Sequence, residues 1–121
     1  MNVNLFKDKR GVLAALNFKK LPFKVKRVFC VFDVPKNTSR GDHAHHKTEQ
    51  YLFCLKGKIE VRAFDKKNII KKTLYPGDGF YVDKKVWDIQ KFLENDSILL
   101  VCCSTEYNKN DYIFKLKDFI N

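Results

Sequence analysis

The chain has 121 residues, 45% hydrophobic and 14% aromatic, and a net charge of +10 from 24 Lys and Arg against 14 Asp and Glu. That length suits a single domain spanning residues 1–121 with a real core, and the composition excludes intrinsic disorder. No apolar run approaches the ~20 residues of a membrane-spanning helix, and the first ten residues contain no apolar leader segment, so a cytoplasmic protein is expected.

In chain order, the first strand expected is Arg27 to Val34, rich in β-branched and aromatic residues and broken by Pro35-Lys36-Asn37-Thr38. His43 to Lys56 carries all three histidines into the apolar run Tyr51-Leu52-Phe53-Cys54-Leu55, and Gly57 then turns the chain. From Lys58 to Asp65, Ile59, Val61 and Ala63 alternate with Glu60 and Arg62, the period of a half-buried strand. Ile69 to Tyr75, Gly79 to Asp83, Val86 to Phe92 and Ser97 to Ser104 follow, separated by Pro76-Gly77-Asp78-Gly79 and Glu94-Asn95-Asp96. Only the end has helical spacing, through Tyr112, Ile113, Leu116, Phe119 and Ile120. Short strands at turn intervals predict an antiparallel all-β jelly roll, a small barrel whose mouth takes a ligand, with a short C-terminal helical segment.

Cys30, Cys54, Cys102 and Cys103 each sit in an apolar strand-like run without zinc-type spacing, so free buried thiols are expected. The positive charge invites a nucleic-acid reading, but 20 of the 24 cations are lysines scattered through turns, which describes a solvated surface. Arg10, Arg27, Arg40 and Arg62 are more informative, because a guanidinium binds phosphate oxygens bidentately.

His43, His45 and His46 are the only histidines. On a strand, His43 and His45 share one face and His46 takes the other. Two imidazoles side by side can transfer protons near neutral pH. The same pair is also half of a cupin metal set, with Glu49 as a candidate carboxylate for Fe(II) or Zn(II). The later strand Val86-Trp87-Asp88-Ile89-Gln90 supplies no third imidazole. Spacing alone is equally consistent with histidines that are plain polar strand residues.

The series Arg27-Val28-Phe29, Phe32-Asp33, Arg40-Gly41-Asp42-His43-Ala44-His45, Gln50, Cys54-Leu55-Lys56-Gly57, Gly79-Phe80-Tyr81-Val82 and Val86-Trp87, closed by Tyr107-Asn108-Lys109-Asn110-Asp111-Tyr112-Ile113, resembles the dTDP-sugar 3,4-ketoisomerases of the cupin superfamily. The resemblance runs from about residue 5 to the end of the chain. It implies a homodimeric jelly roll, with N-terminal strands that can exchange between subunits and no metal or cofactor. The implied substrate is dTDP-4-keto-6-deoxy-D-glucose, whose carbonyl moves from C4 to C3 ahead of an amination. By position in the motif, His45 is the carbon base, His43 manages the sugar oxygens, and Arg40 stabilises enediolate charge or holds diphosphate. Arg40, Arg27 and Arg10 are the expected diphosphate contacts, Gln50, Tyr81 and Trp87 the expected wall residues, with plain core packing the equal alternative for Trp87, and His46 a structural residue. Tyr107 and Tyr112 are expected to anchor the C-terminal segment. Arg10-Gly11 resembles members that leave a galacto-configured product. The family usually carries a tyrosine in the strand where Phe29 and Cys30 stand here, so Tyr81 or a water must replace its hydroxyl, or that part of the mechanism differs. A nucleotide-sugar epimerase and a non-catalytic nucleotide-sugar-binding cupin are the competing readings.

Overall fold

The computed structural model describes residues 1–120; Asn121, the last residue of the expected domain, lies outside the described residues. The first strands are β1 (Asn4–Asp8), β2 (Gly11–Ala15), β3 (Arg27–Val31), β4 (Thr38–His45), β5 (Gln50–Lys56) and β6 (Ile59–Phe64). After them come β7 (Ile69–Leu74), β8 (Gly79–Val82), β9 (Trp87–Phe92), β10 (Ile98–Cys103), β11 (Tyr112–Ile113) and a short helix, α1 (Leu116–Ile120). All ladders are antiparallel. One sheet has the order β3-β10-β5-β8 and the other β11-β4-β9-β6-β7, while β1 and β2, among the described residues, pair only with each other. This is the expected jelly roll.

Alternation along each strand sorts side chains into an interior and two outer layers. Leu52, Cys54, Leu99 and Val101 from one sheet meet Ile59, Val61, Leu74 and Phe92 from the other, all essentially without solvent exposure. Burial of this set is the main driving force for closing the sandwich, at about 25 cal/mol per Å² of apolar surface. The outer face of the four-stranded sheet, with Phe53 and Cys102, is covered by Val3, Leu21 and other N-terminal residues. On the far side, Phe119 of α1 packs with Ala44, Trp87 and Ile113.

Three segments depart from the sequence reading. The hairpin β1–β2 has no counterpart among the strands read from residue pattern, although the resemblance implies N-terminal strands; its residues pair across the turn from Asp8 to Gly11, with Gly11 in the positive-φ conformation at +134°. The expected strand from His43 to Lys56 divides into β4 and β5. Asp111 binds the turn between them, accepting bonds from the Lys47 backbone N–H at 2.7 Å and from the Thr48 hydroxyl. Tyr112 and Ile113 are not helical: they pair with His45 and Ala44 as an edge strand, and the helix begins only at Leu116. A sheet edge with open hydrogen bonds outcompetes a helical turn too short to stabilise itself. All four cysteines are free, and three are buried as expected; Cys30 is exposed because it points outward from edge strand β3.

Candidate active site

A β-bulge in β4 assembles the site. Arg40 pairs with Gln90 and Gly41 with Ile89, but the register then shifts so that His43 pairs with Asp88. Asp42 is the extra residue, at φ +61°, and its carboxylate accepts a 2.9 Å bond from the Trp87 indole. Strict alternation would put Arg40 and His43, three residues apart, on opposite faces. The bulge reverses the phase, so Arg40, His43 and His45 all share the interior face with Asp88 and Gln90. Gly41 is required here: its φ is +78°, and a Cβ would lie 2.9 Å from the Gln90 amide nitrogen.

The two histidine rings meet edge to face with centroids 5.0 Å apart. His43 Nδ1 lies 3.0 Å from the Gly41 carbonyl, which fixes the ring's orientation and leaves Nε2 free for chemistry. His45 is 2% exposed, and its Nε2 is buried with no hydrogen-bond partner. Burial, reinforced by the neighbouring His43, Arg27 and His46 and opposed by Asp111, lowers the His45 pKa to about 4. Burial likewise lowers that of His43, against the Gly41 carbonyl and Asp42. Both imidazoles are therefore neutral at neutral pH and able to accept a proton.

The wall around them comes from both sheets and from the C-terminal segment. Tyr112, directly opposite His45 in the ladder, places its ring 4.4 Å from the His45 ring and 5.0 Å from that of His43. Phe114 stacks on Tyr112 at 5.3 Å. Arg27 lies between the rings of Phe29 and Tyr107, at 5.7 and 5.6 Å. Burial works against the Arg27 charge, but Cys103 and the Tyr112 oxygen outweigh it and raise its pKa. Gln50 is buried on the interior face and donates to the Cys103 sulfur at 3.5 Å. Below His43, the fully buried Asp88 accepts a bond from Gln90, and its Oδ1 has no partner. Burial, only partly offset by Gln90, raises the Asp88 pKa to about 7.

The structure thus brings Arg27, Arg40, His43, His45 and Gln50 to one interior face and leaves three other expected site residues elsewhere. Tyr81 lies on the outer face of the four-stranded sheet, donating to Glu49 at 2.5 Å beside Tyr51 and Phe23. That placement removes Tyr81 as the replacement for the family tyrosine, and it occupies the Glu49 carboxylate that a two-histidine metal set would use. Trp87 precedes inward-facing Asp88 by one residue and so faces outward, between Phe64 and Phe119. Arg10 is at the exposed hairpin turn, paired with Asp8 at 2.7 Å. His46 faces away from the pair and helps line a surface cavity of about 620 Å³ with Lys66, Lys67, Lys85 and Phe119. Phe29 is on the interior face, paired with Val101, and Cys30 is on the other, so the position facing the site carries no hydroxyl. Among the described residues, no group of three His, Cys, Asp or Glu side chains converges as a metal site.

Sequence reasoning missed Tyr112 as a neighbour of both histidines, and it missed the Asp88–Gln90 pair. The latter had a signal: two polar residues two apart in the apolar run Val86 to Phe92 mark a polar patch on an interior face.

The chain is thus a small antiparallel jelly roll with a histidine pair on its interior face and an arginine at the rim. The profile of the FdtA family, described as WxcM-like, C-terminal, matches residues 1–121. A TDP-4-oxo-6-deoxy-alpha-D-glucose-3,4-oxoisomerase from Aneurinibacillus thermoaerophilus is 38% identical over 93% of this chain and 82% of its own length. A 3,4-ketoisomerase from Helicobacter canadensis superposes with a TM-score of 0.85 at 33% identity, covering 98% of this chain and 91% of the other. A mutant of the 3,4-ketoisomerase from Thermoanaerobacterium thermosaccharolyticum, solved with TDP-4-keto-6-deoxyglucose, gives 0.86 at 30% identity, with 98% and 88% covered. The chain belongs to this family of sugar 3,4-ketoisomerases and is an isomerase.

Proposed function

We propose that the protein converts dTDP-4-keto-6-deoxy-D-glucose to a dTDP-3-keto-6-deoxyhexose, and that His45 moves the carbon-bound proton. The observation that carries this reading is the buried, neutral His45 beside His43 on the barrel interior. The A. thermoaerophilus relative's name and the nucleotide sugar bound to the T. thermosaccharolyticum enzyme support the substrate class. In this mechanism His45 takes the C3 proton while the C3–H electron pair forms the C3=C4 bond and the C4 carbonyl pair moves onto O4. The proton returns at C4, and the O3 proton passes to O4 by way of His43, leaving the carbonyl at C3. Arg40, at the rim of the same face, balances the enediolate or the diphosphate, and Arg27 adds charge from the opposite sheet. Arg10-Gly11 supports a galacto-configured product, and an amination at C3 is the proposed next reaction.

A homodimer is part of this proposal. Phe6, Val12 and Leu13 on the hairpin and Val28 and Phe32 around β3 are large exposed apolar side chains on one chain, which a second copy would cover. In that arrangement Arg10 at the hairpin tip faces the other subunit. The activity is tested by incubating the protein with dTDP-4-keto-6-deoxyglucose in deuterium oxide and following the sugar by NMR. Label at the ring carbons and a carbonyl at C3 are expected. A carbonyl kept at C4 with inverted C3 indicates the epimerase, and binding of dTDP without exchange indicates a carrier; either result refutes the ketoisomerase reading.

A further inference from the structure

We propose that Tyr112 is a catalytic residue whose hydroxyl donates a hydrogen bond to the sugar oxygen that gains charge in the enediolate, in place of the hydroxyl missing at Phe29. This inference rests on the ketoisomerase reading and extends it to a group outside the histidine motif. Its basis is position. Tyr112 pairs with His45 in the ladder, its ring touches both histidine rings, and it is half-buried between them and the mouth. A sugar carbon within reach of both imidazoles therefore has its oxygens beside this phenol.

Arg27 brings positive charge near the phenol. Its guanidinium lies 5.6 Å from the centre of the Tyr107 ring, whose other neighbour is the Tyr112 ring at 5.9 Å. Around the Tyr112 ring, Phe114 stacks at 5.3 Å and Tyr107 lies at 5.9 Å, with the His45 and His43 rings nearer, at 4.4 and 5.0 Å. A phenol so placed can donate to a sugar oxygen held beside the histidines. Arg27 also polarises the phenol, strengthening it as a donor to a developing oxyanion.

The position has a further structural support. Asp111 is clamped by Lys47 and by the Thr48 hydroxyl, which itself meets the Thr105 hydroxyl at 2.6 Å. The adjacent Tyr112 is consequently held on a fixed backbone rather than on a loose tail. No net proton transfer through Tyr112 is required: C3–H becomes C4–H through His45, O3–H becomes O4–H through His43, and the phenol only donates a hydrogen bond to the charge on O4.

The test is Tyr112→Phe, which removes one oxygen and leaves the ring against His45 and Phe114. We expect kcat to fall about 100-fold with KM within about twofold of wild type, the size of effect seen when one donor to an oxyanion is removed. The thermal midpoint and dTDP affinity should be unchanged. Retention of kcat within threefold overturns the assignment. So does a loss of kcat accompanied by lower thermal stability and weaker dTDP binding, since that pattern belongs to packing. Wild-type protein that fails to isomerise the sugar removes the ketoisomerase reading itself, and this role with it.

Discussion

His45 and Asp88 are two buried titratable residues whose pKa values move in opposite senses, and both lie on the face that carries the chemistry. His45 is held neutral by burial, which suits a base that must accept a proton from carbon. His45→Asn keeps a polar side chain of similar size but no base, so conversion should fall by 10²–10⁴-fold. Binding of dTDP, followed by calorimetry, should change little, and an active variant would rule out the assigned role. Stability supplies an independent check. The His45 pKa is about 4 in the folded protein and ~6.5 unfolded, so the unfolded chain binds the extra proton between these values. The His45 contribution to stability therefore falls as pH drops from 6.5 toward 4, by about 3 kcal/mol at most. Asp88 acts in the other direction: its pKa is about 7 folded and ~3.9 unfolded, so stability is lost as pH rises through that window. The two trends oppose each other in wild type. Denaturation curves from pH 4 to 8 should show stability rising with pH in Asp88→Asn and falling with pH in His45→Gln; parallel curves for the two variants would contradict the burial argument.

Among the elements, β4 and β11 decide the site. The bulge at Asp42 brings Arg40 into phase with the histidines, and it is held by the bond from the Trp87 indole to the Asp42 carboxylate. Gly41→Ala would need a positive φ and would push its Cβ to 2.9 Å from the Gln90 nitrogen. It should cost about 1–3 kcal/mol in chemical denaturation, as left-handed strain does for non-glycine residues. Conversion should drop as well, because His43 is the first residue after the bulge. Wild-type stability in this variant would show that the bulge tolerates a side chain. β11 has only two residues, yet it delivers Tyr112 to the histidines because Asp111 fastens the preceding turn to the β4–β5 connection. A two-residue strand has little intrinsic stability, so that anchor and the packing of Ile113 against Ala44 and Trp87 hold it in place.

For the whole molecule, the sandwich protects its interior well and its N-terminal side poorly. Phe6 and Leu13 are each 60% exposed on a hairpin that, among the described residues, pairs with no other strand. Isolated two-stranded hairpins are marginal in water, so this one is expected to take its order from a second subunit. Sedimentation should give a dimer for wild type and a monomer for Leu13→Glu, with the fold of the barrel retained by circular dichroism. A monomeric wild type would refute the dimer, whereas a dimeric Leu13→Glu would place the interface away from the hairpin. No helix among the described residues is long and apolar enough to cross a membrane.

Local alternation and turn chemistry made much of this molecule legible from its residues. The strands from β5 to β10, the jelly-roll class and the shared face of His43 and His45 all depend on near neighbours in the chain. The motif around Arg40 to His45 and the tail at Tyr107 to Ile113 likewise carried the family without any knowledge of contacts. What lay out of reach depended on which distant segment sits across from a residue. The phase of Arg40 relative to His43 is set by pairing with β9, and Trp87 and Tyr81 face outward because of the pleat their partners impose. Tyr112 has helical spacing in sequence, but the open edge of β4 converts it to strand and turns an expected anchor into a neighbour of both histidines. Periodicity is a property of a segment, whereas register and edge pairing belong to the whole sheet, so only the tertiary structure could complete the site.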